Sequence, residues 1–167
     1  EALTDPSHFE GKVGRAENGN AVLQGMDVEA VSVRDPGQRQ RVELIWAWAD
    51  IEQQNRDFGV CGALRSDDRL GWAVAAHEHP AGPRHALFLA SAPFGYEGGT
   101  ELVVTLHYDS IYPRHTFGRV RVSAAALTEA GCDRLPEATG GWYLAGPFPG
   151  DGPDAVWEQG DGPETAT

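Results

Sequence analysis

Large apolar residues recur at every second position along several short stretches, and this period of two constrains the fold more than any other feature. The clearest stretch is TELVVTLHYD (100–109), in which one face carries Leu102, Val104, Leu106 and Tyr108. Alternate side chains of a strand point to opposite sides of a sheet, so this pattern predicts a strand with one buried face.

Further runs of the same kind precede this stretch. In RVELIWAW (41–48) the alternate positions are occupied by Val42, Leu44, Trp46 and Trp48. In RHALFLASA, Leu87 and Leu89 oppose Phe88. Clusters of Gly, Pro, Asn and Asp bound these runs, and no long amphipathic helix separates them. We therefore predict an all-β protein, a jelly-roll-like antiparallel β-sandwich.

Charge and composition divide the chain near residue 128. Residues 129–167 contain eight acids, one base, five prolines and eight glycines, and the whole chain has a net charge of −12. Proline and glycine at this density favour linkers and irregular structure. The sequence predicts a β-sandwich domain over 1–128 and an irregular acidic extension over 129–167. That extension is either a linker with an extended arm or the start of a following domain.

The acidic balance limits the partners of the chain. Phosphate backbones are bound by clustered Lys and Arg, and Lys12 is the one lysine in the sequence, so nucleic acid is a poor partner. No apolar run reaches the roughly 20 residues that span a bilayer. The sequence lacks the nucleophile-elbow, phosphate-loop and dinucleotide-binding motifs, and we predict that the chain is not an enzyme.

Four segments occur in an order that is typical of a known group of proteins: GRAENGNAVLQGMDVEA (14–30), DDRLGWAV (67–74), GGTELVVTL (98–106) and HTFGRVRVSA (115–124). The series resembles a β-sandwich segment of large exported proteins of planctomycetes and related bacteria. Those proteins often carry cytochrome-c-like segments and domains of unknown function. The resemblance implies an extracytoplasmic location, periplasmic or secreted, and it implies no reaction.

That segment is similar in turn to the galactose-binding, discoidin-like jelly roll. The recurrent A-x-D-G-x-x-x-T-x-W pattern of that fold is approximated here by Ala63, Asp67, Asp68, Leu70 and Trp72. Asp68 stands where Gly is usual and Leu70 where Thr is usual. Both replacements fall in a loop that holds a calcium ion or a sugar in such folds, so they weaken the case for that ligand.

Two loops are candidates for metal binding. In GRAENGN, the oxygens of Glu17, Asn18 and Asn20 are candidate calcium ligands, and calcium is the one cofactor that the sequence suggests. The alternative is an Asx-type turn, which needs no ion. The His-rich stretch AAHEHPAGPRH (75–85) has no fixed spacing to a third ligand, and its prolines and glycine indicate an exposed loop.

A ligand site is a second hypothesis. In RSDDRLGWA, the carboxylates of Asp67 and Asp68 beside Trp72 suit a sugar, whose hydroxyls bind the acids while the indole stacks on the ring. The alternative is a charged turn with Trp72 in the core. In YPRHTFGRVRV (112–122), His115 and Arg119 are the candidate ligand-binding residues at the rim of the sandwich.

The same stretch predicts a turn into a late strand, with Val120 and Val122 packed inward and the arginines on the opposite face. Those arginines either pair with acids of this chain or face a partner, and Arg121 is a candidate interface residue. The acidic extension adds four aromatic residues that suit an interface: Trp142, Tyr143, Phe148 and Trp157.

These features favour a non-catalytic, extracytoplasmic β-sandwich module. We predict a structural or interaction subunit that docks on a larger assembly, such as a cytochrome-bearing redox complex. The alternative is a carbohydrate- or cell-surface-binding module of the galactose-binding type, whose partner is a polysaccharide.

Overall fold

The computed structural model describes residues 1–53, 58–64, 71–127, 131 and 135 of the 167-residue chain. As far as Leu127, the described residues form an all-β structure that has short 3-10 turns, among them Phe9–Gly11 and Val60–Leu64, and no α-helix. All of the described strand pairs are antiparallel. The strands are β1 (Ala2–Leu3), β2 (Val22–Leu23), β3 (Gly25–Ser32), β4 (Arg39–Val42), β5 (Leu44–Ala49), β6 (Trp72–Ala73), β7 (Ala86–Ala90), β8 (Thr100–His107) and β9 (Arg119–Val120).

Strands β4, β3 and β8 form a three-stranded sheet with β3 in the centre. Gly25 faces His107 and Ser32 faces Thr100, with no shift in register between these pairs. The predicted alternation of β8 is confirmed: residues 102, 104 and 106 are half-buried, whereas residues 101, 103 and 105 are exposed. One face of the sheet packs on an apolar cluster around Val28, and the other face carries charged side chains.

Strands β5 and β7 pair through a β-bulge near the start of β5. Leu44 faces Ala90 and Trp46 faces Leu89, so Ile45 is an extra residue on β5 without an opposite neighbour. Ile45 is 55% exposed. An extra residue moves every side chain that follows it to the other face of the strand.

The bulge overturns one expectation from the sequence, that a single face carries Val42, Leu44, Trp46 and Trp48. Val42 and Leu44 do share a cluster. Beyond the bulge, however, Ala47 and Ala49 pack on the largest apolar cluster, and Trp46 and Trp48 lie on the opposite face, where Trp48 is nevertheless buried. On β7 the predicted alternation is confirmed, because Phe88 packs against that core and the neighbouring leucines alternate with it.

The largest apolar cluster lies around the short strands β2 and β6. Leu23 faces Trp72 across this pair, and Trp72 is 3% exposed. The indole meets the ring of Phe117 edge-on, with 5.7 Å between the ring centroids. The close approach of the backbones requires glycine at position 71, because a Cβ there would overlap the carbonyl group of Leu23.

Strand β1 joins two distant parts of the chain. Ala2 faces Val120 on β9, and on its other side it exchanges both backbone hydrogen bonds with Arg84, at 2.8 and 2.9 Å. The prediction that the valines of the last strand pack inward is wrong, since Val120 is 42% and Val122 is 56% exposed. Alternation shows which side chains share a face but not whether another layer covers that face.

The chain divides into two compact units, Glu1–Arg121 and Val122–Thr167. The boundary predicted near residue 128 falls within the second unit. The described residues 122–127 of this unit form neither helix nor strand, and residues 122–126 are exposed.

Candidate interaction surface

The outer edge of β8 presents a row of backbone groups that have no strand partner among the described residues. Val33 donates its N–H to the carbonyl of Gly99 at 3.2 Å. Hydrogen-bonded and non-hydrogen-bonded pairs alternate along an antiparallel ladder, so this bond shows that the odd-numbered residues of β8 are the ones that bond to β3. Residues 100, 102, 104 and 106 therefore direct their N–H and C=O groups away from β3. No described strand pairs with that side of β8. We call this row of groups the β8 edge.

The β8 edge has few of the features that usually protect an exposed strand, although Glu101 adds one charged side chain. Such features are Pro, Lys, a bulge or a very short strand. Strand β8 has eight residues, none of them Pro, Lys or Arg, and its ladder with β3 is continuous. At the opposite edge of the same sheet, β4 has only four residues, and Arg39 and Arg41 are two of them. The β4 edge of the sheet is thus protected against strand addition, whereas no described strand covers the β8 edge.

Ion pairs cross the exposed face of this sheet. Arg41 Nη2 lies 2.8 Å from Asp27 Oδ1, and His107 Nε2 lies 2.8 Å from Asp27 Oδ2, which links all three strands. The hydrogen bond with His107 is the main cause of the lowered pKa of Asp27, and the nearby Arg41 contributes. Arg39 and Glu29 form a second pair at 2.7 Å. The charge of this face is therefore largely neutralised, although the chain is strongly acidic.

The candidate calcium ligands lie in a tight turn before β2. Asn18 Oδ1 accepts the backbone N–H of Asn20 at 3.1 Å, as in an Asx turn. Asn20 is buried, and its Oδ1 accepts the N–H of Ala76 at 3.1 Å. Glu17 is exposed. Both amide oxygens are thus already engaged with the backbone, and no described group of three or more His, Cys, Asp or Glu residues has the arrangement of a metal site.

The candidate sugar site is described only in part. Trp72 lies in the core, and its Nε1 donates to the carbonyl of Ile51 at 2.8 Å, so neither face of the indole is open to a ligand. Asp67 and Asp68 lie outside the described residues, as do the aromatic residues predicted to form an interface, Trp142, Tyr143, Phe148 and Trp157.

The basic residues near β9 contact the chain itself. His115 Nδ1 lies 3.0 Å from the carbonyl oxygen of Pro113, and Arg119 Nη1 donates to the carbonyl of Thr4 at 3.5 Å. Arg121 binds both carboxylate oxygens of Glu1, and this hydrogen bonding is the largest cause of the lowered pKa of Glu1. Of the two alternatives for the arginines, the structure shows Arg121 paired with an acid of the same chain.

Reasoning from the sequence missed the role of Arg84, which is 3% exposed. Its Nε donates to the carbonyl of Val74 at 3.1 Å, and its Nη1 donates to the carbonyls of Gly82 and Pro83, both at 3.0 Å. The guanidinium thereby joins the two sides of the His-rich loop, which its prolines and glycine predicted only as an exposed loop. The one signal in the sequence is an arginine placed directly before an apolar strand.

An acid whose side chain is only 7% exposed, Asp50, lies beside the same loop. Asp50 Oδ2 lies 3.0 Å from His85 Nδ1, and Asp50 Oδ1 accepts the backbone N–H of His85 at 2.9 Å. On its other side, His85 Nε2 lies 3.2 Å from Glu1 Oε1. His77 instead lies beside Glu78, 3.1 Å away, so the histidines of this loop do not converge on one point.

A row of rings lies at another rim of the first unit. The Tyr112 ring lies 5.8 Å from that of Phe58 and 5.5 Å from that of His115, measured between centroids. Phe58 is buried, whereas Tyr112 is 36% exposed. The row therefore begins in the core and ends at the surface.

Comparison with known proteins adds no relative, since no family model, curated protein or solved structure matches the chain. Within the described part of the chain, no helix has the length and apolar character that crossing a bilayer requires.

Proposed function

We propose that the chain is a non-catalytic interaction module, a jelly-roll-like β-sandwich that docks on a protein partner by strand addition at the β8 edge. The observation that carries this proposal is the row of backbone groups on β8 with which no described strand pairs. An extended segment that pairs with such an edge gains main-chain hydrogen bonds, and the flanking side chains provide specificity.

The surroundings of the β8 edge support this role. Val103 is 40% exposed on the charged face, and no described contact engages the side chain of Glu101. On the other face, Leu102 and Val104 are only half-buried at the margin of their apolar cluster. An added strand would cover these side chains and would extend the apolar layer by one strand.

The resemblance found in the sequence supports the setting of this module. It suggests a place outside the cytoplasm and a larger, cytochrome-bearing redox assembly as the structure on which the module docks. The acidic extension with its aromatic residues would be a second point of attachment, because aromatic side chains are enriched at protein interfaces.

Substitution on the exposed face of β8 tests the proposal. The tagged full-length chain is recovered from its source as wild type, as Val103→Lys and as the matched control Val120→Lys, whose valine is exposed to a similar extent, 42% against 40%. A lysine beside the edge opposes strand addition. We expect the partner to remain with the wild type and the control and to be lost with Val103→Lys. Retention of the partner by a folded Val103→Lys chain would refute docking at β8.

Carbohydrate binding is the second candidate, and the row of rings that ends at Tyr112 favours it. An exposed ring suits the apolar face of a sugar, and His115 beside it offers a polar group. The test is affinity electrophoresis in polysaccharide gels. Tyr112→Ala should abolish retardation if this candidate holds, and Val103→Lys should leave it unchanged. A wild-type chain that no polysaccharide retards would exclude this function.

A further inference from the structure

We propose that the β8 edge binds a second copy of this chain, with the two β8 strands antiparallel about a two-fold axis. The inference rests on the proposed function, because it names the partner of the same edge. In a two-fold pair, the strand must be complementary to itself. The backbone meets this condition, since all of the free groups belong to even-numbered residues and can bond to even-numbered residues of the second copy.

The half-buried face of β8 is self-complementary when the axis passes beside Val104. Val104 then faces Val104 of the second copy, and Leu102 faces Leu106. These side chains border the apolar clusters of their own sheet. Directly opposed β-branched and aliphatic side chains are favourable cross-strand pairs. The pairing would thus continue the apolar layer from one copy into the next.

The side chains on the exposed face of β8 favour the same register. With the axis at Val104, Val103 faces Thr105, and Glu101 faces His107 of the second copy. Glu101 and His107 are the titratable side chains of β8, and they stand at its two ends. This register places a carboxylate opposite an imidazole at both ends of the interface, whereas like charges opposite each other would be destabilising.

The two neighbouring registers with the same backbone phase lack this match. With the axis at Thr105, Glu101 would face Asp109 of the second copy, and these two charges are alike. With the axis at Val103, Glu101 would face Thr105, and His107 would face Gly99 of the second copy. That arrangement opposes a carboxylate to a hydroxyl and leaves the imidazole without a side chain opposite. The Val104 register is therefore the one in which the charged ends and the apolar centre both find partners.

The pair would form one continuous sheet from two three-stranded sheets, with β4 at both outer edges. Because β4 is short and carries two arginines, the assembly would close as a dimer and would not extend into a fibre. Each copy has a net charge of −12, so repulsion opposes the association. Salt screens that repulsion, and we expect the dimer to strengthen as salt concentration rises.

Mixed cross-linking tests the register. In the Val104 register, residues 103 and 105 face each other at a non-hydrogen-bonded position, where Cα atoms lie about 4.5 Å apart, which suits a disulfide. The full-length chain is prepared as Val103→Cys and as Thr105→Cys, both without the natural cysteines, because Cys61 is an exposed free thiol. Oxidation of the mixture should give a covalent dimer of twice 18.0 kDa, and oxidation of either variant alone should not.

Pairs of charged substitutions provide a second test of the register. Val103→Glu with Thr105→Lys in one chain places opposite charges across the interface, and Val103→Lys with Thr105→Lys places like charges there. Sedimentation of the folded variants should show a dimer for the first and a monomer for the second. Equal cross-linking of the single variants would overturn the register. A chain that stays monomeric at all concentrations and salt levels would overturn the inference.

The two proposals fail separately. If the isolated chain is monomeric but Val103→Lys still loses a partner from the source, the edge docks a different protein, and only the second-copy inference is refuted. If Val103→Lys neither changes the sedimentation nor loses a partner, strand addition at β8 is refuted as a whole.

Discussion

The buried arginine of the first unit offers the sharpest test of how this fold is held together. In Arg84→Met the three best carbonyl acceptors of the guanidinium lose their donor. The carbonyls of Gly82 and Pro83 lie in a loop that water reaches, but Val74 is fully buried, so its carbonyl is left unsatisfied. One unsatisfied buried carbonyl costs about 1–3 kcal/mol, and the loss of bonds to a charged donor adds to it.

Removal of a buried charge partly offsets this loss, since burial is also the main cause of the lowered pKa of Arg84. We therefore expect Arg84→Met to lower the free energy of unfolding by about 2–4 kcal/mol. Urea unfolding at pH 7 measures it as a lower midpoint at an unchanged slope. Arg15→Met is the control, because Arg15 is exposed, and it should change stability by less than about 0.5 kcal/mol. A stability loss in Arg84→Met no larger than that of the control would refute the reasoning.

Three further predictions concern single contacts. Gly14→Ala should lower the free energy of unfolding in urea by more than about 2 kcal/mol, because the added Cβ would overlap the carbonyl of Asn20. Gly11→Ala is the control. Position 11 has open space around it but a φ of +69°, so this substitution should cost only about 1 kcal/mol. Asn20→Ala should lower the free energy of unfolding by about 1–3 kcal/mol, because it removes the acceptor of the buried N–H of Ala76. Millimolar calcium should not raise the melting temperature of the wild type, and a clear rise would argue for the calcium site after all. The interactions that lower the pKa of Asp27 stabilise the fold at pH values above the ordinary carboxyl pKa, and this stabilisation is lost as the pH falls through the lowered pKa. As the pH falls below about 4, Asp27→Asn should therefore lose less stability than the wild type. The difference should be less than about 1 kcal/mol, because the pair of Asp27 and His107 is partly exposed. An unchanged dependence of stability on pH would contradict the assignment.

The sequence predicts β8 well because one face of this strand is covered and the other is not. Its alternation therefore carries direct information on burial. On β5 the same reasoning failed beyond Ile45, because an inserted residue leaves the period of two intact in the sequence while it exchanges the faces in the structure. For that reason the sequence pattern assigns Trp46 and Trp48 to the face of Leu44, whereas the structure has them on the opposite face.

The loop closed by Arg84 shows a different limit. Pro and Gly at positions 80–83 indicate a turn correctly, but the carbonyls that receive the guanidinium come from two separated segments. Local composition does not show which distant atoms a long side chain reaches. The β8 edge was missed for a related reason, since a strand reveals its neighbours only after the whole sheet is assembled.

The position of β1 determines an order of events during synthesis of the chain. Ala2 is synthesised before both of its backbone neighbours, which are at positions 84 and 120. Closing loops of this length costs entropy that is recovered only when the distant segments arrive, and structures rich in such contacts fold slowly. Strand β1 therefore lacks at least one of its two neighbours until residues near 120 have been made. A nascent chain halted before β9 would have β1 joined along one side at most, and protease cleavage near Leu3 should fall sharply once Arg121 has emerged.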